Sequence, residues 1–278
     1  VHPYITPRSP EDANMFGMLK GVRDVIAEFG DPIPIWVTET GYPTHTSGVT
    51  ENYQANVISR AYMLSFKYPW NPTFGWYWFG PDGPNPDLHE DRFGLIRQDS
   101  SKKPSFHAMK TVTEQLGGAT HEQSLTIHDQ IKGEVFSLPE DDEPYAQVTA
   151  LWSLKGIRQV RVMTGSEALL VTRDGKEVAI VPDNGELFLD LSGQPVFLHT
   201  VDKAGVEAVE DPSLHLQDSV TMTGNNPAEI TFSNELVFPD APKDQQQWVC
   251  LRLVRPTWEK REDFELQHTK MPEELKQQ

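Results

Sequence analysis

Several features are scarce in this sequence, and each scarcity excludes a class of site. The 278 residues include one cysteine, Cys250, so neither an intrachain disulfide nor a cysteine-based zinc site can form. The nine histidines are scattered without metal-ligand spacing. No apolar run approaches the length of a membrane span, and no glycine-rich phosphate loop follows a strand, which disfavours nucleotide binding. We therefore expect no metal, no cofactor and no membrane span.

Positive charge is also scarce. Lys and Arg number 24 against 41 Asp and Glu, for a formal net charge of -17, which argues against nucleic acid or an anionic membrane as a partner. Residues 1–118 carry 10 basic and 13 acidic groups, or -3, so residues 119–278 carry the remaining -14. No signal peptide is present, but the first residue is Val1 rather than Met, so the sequence leaves the localisation open.

The most informative stretch is Ile33 to Thr44, an apolar and partly β-branched run that ends in one carboxylate, Glu39. Such a run, followed at once by the turn residues Gly41 to Pro43, predicts a buried strand. A charge at the end of a buried strand costs free energy unless it has partners or a task. Glu39 is therefore a candidate catalytic group, and the alternative is a salt-bridged or helix-capping Glu.

Residues 1–118 predict three strand–helix units. The strands are expected at Val1 to Ile5, around Glu39 and at Phe74 to Gly80, and the helices begin at Ser9-Pro10-Glu11, at Thr50-Glu51 and at Pro104. Alternation of this kind predicts a parallel sheet with helices packed on it. Three units are too few for an eight-unit barrel, so the region is either a small open α/β sheet or the C-terminal part of a (β/α)8 barrel.

After Gly118 the hydrophobic period changes from helical to alternating. Seven short runs between 134 and 199, separated by turn residues, predict an antiparallel β-sandwich domain over 119–203. Strand-like runs at Ser219–Thr223, Glu229–Phe232 and Trp248–Val254 predict a partial further β module over 204–278, ending in a polar tail from Glu259 to Gln278. The fold class is thus α/β followed by all-β.

Three pieces of the α/β region carry a resemblance to a known family. They are His2-Pro3-Tyr4, then Trp-Val-Thr-Glu-Thr-Gly-Tyr at 36–42, and then Trp76-Tyr77-Trp78. In this order they resemble strands six, seven and eight in the barrel of clan A glycoside hydrolases, the retaining enzymes of the β-xylosidase/iduronidase-like or cellulase-like families. The resemblance covers about 118 residues and the β-sandwich behind them. It implies a C-terminal fragment of a glycosidase acting on β-linked sugars, and it alone suggests an extracellular location.

The resemblance also implies roles for individual residues. Glu39 matches the nucleophile, Tyr4 the tyrosine that hydrogen-bonds it, and His2 a polar residue on the same strand face. The aromatic sugar-binding residues would be Trp78 and, as second choices, Trp76 and Tyr42. Alternatives stay open: His2 as a core histidine and Trp76 as packing between helix and sheet. Polar groups in the 81–91 loop are either sugar contacts or a solvated turn.

The sequence departs from the family at the acid/base residue. That residue sits in an Asn-Glu pair at the end of strand four, and residues 1–118 contain no such pair; Asn234-Glu235 lies in the β region. We therefore expect an incomplete active site, a missing N-terminal barrel half and at most trace activity from this chain alone. The competing hypothesis is a non-catalytic carbohydrate-binding or scaffold protein with a structural Glu39.

Overall fold

The computed structural model describes residues 1–31, 33–139 and 144–209, together with the backbone of 220–222 and 230–232. The chain divides into two units, Val1–Pro212 and Ser213–Gln278. The first unit contains an α/β region, residues 1–118, and a β region, residues 120–208. The candidate site lies in the α/β region.

Helices and short strands alternate in the α/β region, as the hydrophobic pattern predicts. Its elements in chain order are α1 (Met15–Glu28), β1 (Trp36–Val37), α2 (Glu51–Phe66), β2 (Thr73–Phe74), a 3-10 helix (His89–Arg92) and α3 (Pro104–Leu116). β1 and β2 pair in parallel, with Trp36 opposite Thr73 and Val37 opposite Phe74. A parallel pair joined through a helix is the arrangement expected of a strand–helix–strand unit.

Helices α2 and α3 begin where their capping residues predict, and α1 does not. The Thr50 hydroxyl accepts from the Tyr53 amide (3.1 Å) at the start of α2, and Pro104 is the first residue of α3. The helix predicted from Ser9-Pro10-Glu11 instead begins at Met15. Ser9 caps only a turn, because the left-handed conformation of Asn14 (φ 49°) interrupts the helical backbone before Met15.

The predicted third strand is much shorter than expected. Regular pairing ends at Phe74, although backbone hydrogen bonds with the β1 segment continue to Tyr77. A side chain at Gly75 would come within 2.7 Å of the Thr38 carbonyl oxygen, so glycine permits the close approach of the two segments. Beyond Tyr77 the chain leaves the sheet, so Trp78 does not lie on a strand.

The β region consists of two antiparallel sheets. Its strands are β3 (Thr120–His128), β4 (Ile131–Ser137), β5 (Gln147–Ser153), β6 (Arg158–Met163), β7 (Ala168–Thr172), β8 (Glu177–Ile180), β9 (Glu186–Leu191), β10 (Val196–Thr200) and β11 (Gly205–Ala208). The larger sheet has the order β3-β4-β5-β10-β7-β8 and the smaller has the order β11-β6-β9. The sequence analysis predicted seven of these nine strands; it missed β11 and also β3, which is polar and largely exposed.

The larger sheet has a hydrophobic core on each face. On one side Phe136, Trp152 and Phe197 join the core formed by the helices of the α/β region. On the other side Leu151 and Leu198 pack with Val160, Val162 and Leu189 of the smaller sheet. All seven residues of β5 are therefore buried, and the β region supports the helices directly.

The predicted domain boundaries lie near 118 and 203. The change of architecture falls between the end of α3 at Leu116 and the start of β3 at Thr120, and both regions share one core within the first unit. β11 lies beyond the predicted boundary at 203 and pairs with β6. In the second unit, β12 (Val220–Met222) and β13 (Ile230–Phe232) form an antiparallel pair. The predicted strand at Trp248–Val254, the tail from Glu259, Asn234-Glu235 and Cys250 lie outside the described residues.

Candidate active site

Three chain segments run side by side and bring the candidate groups to one edge. The Val1 nitrogen donates to the Trp36 carbonyl (2.8 Å), and the Thr38 amide donates to the Val1 carbonyl (3.3 Å). On the other side, the Thr40 amide donates to the Gly75 carbonyl (3.1 Å). Polar residues near the carboxyl ends of such parallel segments meet at the same edge of the sheet.

Glu39 is held at both carboxylate oxygens. His2 Nδ1 lies 2.7 Å from Oε1, and the Tyr4 hydroxyl donates to Oε2 at 3.0 Å. His2 Nε2 lies 2.9 Å from the Thr38 hydroxyl oxygen, so the imidazole is fixed from both nitrogens. The Glu39 side chain remains 27% exposed. The structure thus brings together His2, Tyr4 and Glu39, with the carboxylate oriented and still accessible.

Tyr4 is suited to remain a donor. Burial, the hydrogen bond to Glu39 and the negative charge of Glu39 all raise the pKa of the Tyr4 phenol above its ordinary value. Tyr4 remains 41% exposed. A mutation at Glu39 would remove two causes of the raised Tyr4 pKa, the hydrogen bond and the negative charge of that carboxylate. A phenol that keeps its proton continues to donate its hydrogen bond to the Glu39 carboxylate.

An aromatic cluster surrounds this carboxylate. The Tyr4 ring meets Tyr77 and Phe93 edge-on, with centroids 6.2 and 5.9 Å apart. Phe93 can approach because Gly41 has no side chain; a Cβ there would lie 2.7 Å from Phe93 Cδ1. The turn residue that follows Glu39 therefore serves ring packing at the site.

A second carboxylate, Glu90, lies in the loop beside this cluster. Tyr77 donates to Glu90 Oε2 (3.1 Å), and His89 Nε2 lies 2.9 Å from Glu90 Oε1. The hydrogen bond to Glu90, its charge, and the charge of Glu39 raise the pKa of Tyr77. The sequence analysis selected Trp76 and Trp78 on this segment but did not select Tyr77. The signal for Tyr77 in the sequence is its position two residues after Gly75, where the segment still pairs with the β1 segment.

Most other polar groups of the 81–91 loop hold the loop itself. Asp91 accepts from the Asn85 amide (2.9 Å), and the Thr46 hydroxyl donates to Asp87 (2.6 Å). Beneath the loop, the fully buried Lys103 Nζ lies 2.7 Å from Asp82 Oδ2 and 2.9 Å from Asp82 Oδ1. Burial lowers the pKa of Lys103 despite this carboxylate. The pair anchors the loop rather than facing solvent.

The three predicted aromatic sugar contacts occupy different environments. Trp78 is 49% exposed, and its Nε1 donates to the Pro81 carbonyl (2.9 Å), which fixes the indole. Trp76 and Tyr42 are buried and stacked on one another, 6.3 Å between centroids. Trp76 donates to the Phe93 carbonyl and Tyr42 to the Arg8 carbonyl. Packing is thus the observed environment of these two residues, and only Trp78 presents an open face.

The arrangement offers an oriented carboxylate with aromatic surroundings. Within the described part of the chain, no group of three His, Cys, Asp or Glu side chains is placed to bind a metal. No helix among those residues is long and apolar enough to cross a membrane. The chemistry available is that of a carboxylate acting as nucleophile, base or hydrogen-bond acceptor.

Comparisons with known proteins show similarity to a solved structure. No protein-family model matches the chain, and no curated protein matches it. Among solved structures, it is similar to a family 39 glycoside hydrolase from the gut symbiont Bacteroides cellulosilyticus WH2, with a TM-score of 0.61 and 28% sequence identity. The match covers 72% of this chain and 43% of the other chain, so this chain spans less than half the length of that protein. The similarity supports a relationship to glycoside hydrolases in general.

Proposed function

We propose that this chain is the nucleophile-bearing part of a retaining glycoside hydrolase that acts on β-linked sugars. The observation that carries the proposal is the Glu39 carboxylate, held by His2 and Tyr4 at the carboxyl end of a parallel strand. The similarity to a family 39 glycoside hydrolase supports the same activity class.

In this mechanism Glu39 attacks the anomeric carbon while the bond to the leaving oxygen breaks, and a second carboxyl group protonates that oxygen. The covalent glycosyl ester with Glu39 is then hydrolysed: the second group, now a carboxylate, takes a proton from water, and the water oxygen displaces Glu39. Tyr4 and His2 hold the nucleophile in its attacking orientation. The open face of Trp78 would cover the C–H face of a sugar ring.

The second carboxyl must lie about 5–5.5 Å from the nucleophile in a retaining enzyme. Glu90 is a second carboxylate beside the aromatic cluster, but the resemblance places the acid/base group in an Asn-Glu pair, and residues 1–118 contain no such pair. We therefore propose that the acid/base group comes from polypeptide outside residues 1–278. The chain alone would then show no more than trace hydrolysis of aryl β-glycosides.

The test uses residues 1–278 joined to the polypeptide encoded immediately upstream, assayed on a panel of aryl β-glycosides. Glu39→Gly should abolish turnover, and added azide should restore it with formation of the α-glycosyl azide, because azide replaces the missing nucleophile on the same face. The control is Glu177→Gln, at an exposed position of β8, which should keep normal activity. Full activity in Glu39→Gly, or no turnover but retained sugar binding in the unmodified protein, would favour the non-catalytic binding alternative.

A further inference from the structure

A polar cleft lies between helix α3 and the hairpin of β7 and β8, and it uses none of the residues of the candidate active site. Its volume is about 280 Å³, close to the lower end of the roughly 300–1,000 Å³ that is typical of ligand sites. Thr111 and Gln115 of α3 line one wall, and Val171 and Gly175 of the hairpin line the other. Junctions between two packed regions are frequent places for ligand sites.

The turn of the hairpin is anchored to the α/β region. The Gly175 amide donates to the Thr172 carbonyl (2.8 Å), and Gly175 has a φ of 83°, in the left-handed region that favours glycine. The buried Arg173 guanidinium contacts both carboxylate oxygens of Asp174, at 2.9 and 3.1 Å. It also donates to the Asn52 carbonyl of α2 (3.2 Å). This wall of the cleft is therefore fixed by packed and hydrogen-bonded groups.

Thr111 supplies a buried hydroxyl that opens onto the cleft. The residue is 3% exposed, and within the described part of the chain its hydroxyl has no hydrogen-bond partner. A Cβ on Gly175 would lie 3.1 Å from Thr111 Oγ1, so the hydroxyl faces the glycine and the space beside it. A buried hydroxyl without a partner costs free energy, and a ligand that hydrogen-bonds to it would recover that cost.

Two further polar side chains lie along the same helix wall. Gln115 Oε1 is 2.5 Å from His199 Nε2, which leaves the Gln115 amide nitrogen without a partner in residues 1–31, 33–139 and 144–209. His107 is at the exposed rim. A hydroxyl, an amide and an imidazole can between them donate and accept hydrogen bonds. They match the hydroxyl groups of a sugar, each of which also donates and accepts.

The charges at the cleft cancel. Two lysines and three carboxylates line it, and the guanidinium of Arg173, 2.9 Å from Asp174, supplies the third positive charge. Lys110 pairs with Glu114 at 2.7 Å. An ionic ligand would therefore meet no excess of opposite charge. Since Val171 adds buried apolar surface, the walls fit a neutral ligand that is rich in hydroxyl groups and has apolar C–H surface.

We propose that the cleft between α3 and the β7–β8 turn is a second carbohydrate site, which binds a neutral mono- or disaccharide through Thr111, Gln115 and His107. The site goes beyond the proposed function, because it uses no group that contacts Glu39. It would bind sugar whether or not Glu39 is a nucleophile. A cleft of this size accommodates one or two sugar rings, so it would hold a single end or unit of a longer glycan.

The test titrates 15N-labelled residues 1–278 with xylobiose and cellobiose, two neutral β-linked disaccharides, and with glucuronate as an anionic sugar. We expect both disaccharides to shift the backbone amide signals at 107–115 and 171–177, with dissociation constants in the millimolar range. Glucuronate should bind more weakly than either disaccharide, because the cleft has no net positive charge. Glu39→Gln should leave the binding at these amides unchanged.

Two variants test the assigned contacts. Thr111→Val keeps the shape of the side chain and removes the hydroxyl, so the affinity should fall roughly two- to tenfold, the range for one neutral hydrogen bond. His107→Ala should also weaken binding, and it alters no buried group. The matched control is Thr113→Val, on the same helix but outside the cleft lining, where the hydroxyl donates to the Met109 carbonyl (2.9 Å). This control should keep the full affinity.

The outcomes separate this inference from the proposed function. Binding at the cleft without covalent labelling or turnover at Glu39 supports the second site and contradicts the function alone. No shifts at 107–115 and 171–177, or shifts confined to 36–42 and 76–78, would overturn the second site. Equal losses of affinity for the two threonine variants would also overturn it, as would tighter binding of glucuronate than of both disaccharides.

Discussion

The buried ion pair between Arg60 and Glu11 links α2 to the segment that follows Tyr4, and a residue of the β region contacts the same carboxylate. Arg60 on α2 contacts both oxygens of Glu11, through Nε at 2.8 Å and Nη2 at 2.5 Å. The two side chains are 5% and 9% exposed. Trp152 on β5 donates to the same carboxylate at 2.9 Å. Glu11 therefore ties together the loop after Tyr4, helix α2 and the larger sheet.

Arg60→Met removes the cation and leaves the Glu11 carboxylate buried, with the indole N–H of Trp152 in place. Removing one partner of a buried pair costs about 3–5 kcal/mol, because the remaining charge is uncompensated. Urea denaturation, followed by circular dichroism and tryptophan fluorescence, should show this loss in the free energy of unfolding. The double variant Glu11→Gln/Arg60→Met should recover most of it, since no buried charge remains.

The pH dependence of this pair has a defined sign. Burial raises the pKa of Glu11, but the hydrogen bonds and charge of Arg60 outweigh it, so the net shift is downward from 4.5. The stabilisation is therefore present above pH 4.5 and is lost as the pH falls through the lower pKa of the folded state. Glu11→Gln should show less acid destabilisation than the unmodified chain.

The control for Arg60→Met is Arg161→Met, which removes an arginine from an exposed pair with Glu186 and Glu207 on the smaller sheet. Solvent screens such a pair, so we expect almost no change in the unfolding midpoint. Equal midpoints for the two variants would refute the assignment of Glu11 and Arg60 as a buried structural link.

Three further predictions follow from single contacts. Glu39→Gln should lower the pKa of Tyr4 toward its ordinary value of 10.0, because the anionic neighbour is lost; 13C NMR of labelled tyrosine, assigned with Tyr4→Phe, measures this, and an unchanged titration would contradict the contact. Trp78→Ala in the joined protein should raise KM by roughly 2–10-fold at unchanged stability, whereas Trp76→Ala should cost about 3–5 kcal/mol of folding free energy. A stability loss from Trp78→Ala, together with a raised KM and normal stability for Trp76→Ala, would make Trp76 the sugar contact and Trp78 the packing residue. Lys103→Met should cost up to about 3–5 kcal/mol, because the buried Asp82 would keep only Arg92, 3.7 Å away, as a cationic neighbour; chemical denaturation measures the loss, and no loss would rule out the anchor.

Local patterns in the sequence were sufficient for most elements. The helical spacing from Met15 to Phe29 and the capping Thr50 predicted two helices, and the apolar run before Glu39 predicted its strand. Backbone exceptions were harder to foresee. Asn14 delays α1 because its left-handed conformation is set by the surrounding turn, and the polar strand β3 has no apolar alternation to reveal it.

The site was predictable in part for the same reason. The apolar run before Glu39 indicated Glu39 itself, whereas the association of His2 and Tyr4 with it came from the resemblance to clan A glycoside hydrolases. The second-choice sugar contacts, Trp76 and Tyr42, both lie in the core, and neither is on a strand, since β1 ends at Val37 and β2 ends at Phe74. The Tyr77–Glu90 contact depends on how the loop returns to the sheet, and sequence spacing does not specify that return.

The central claim is that Glu39 is the nucleophile, and covalent trapping tests it most directly. A 2-deoxy-2-fluoro-β-glycoside with a dinitrophenolate leaving group needs no acid catalyst for the first step, so the glycosyl ester should accumulate on the nucleophile. Mass spectrometry of the joined protein after proteolysis should locate one added sugar on the peptide that contains Glu39. A label on Glu90 or any other carboxylate, with Glu39 unmodified while the reagent inactivates the enzyme, would contradict the account.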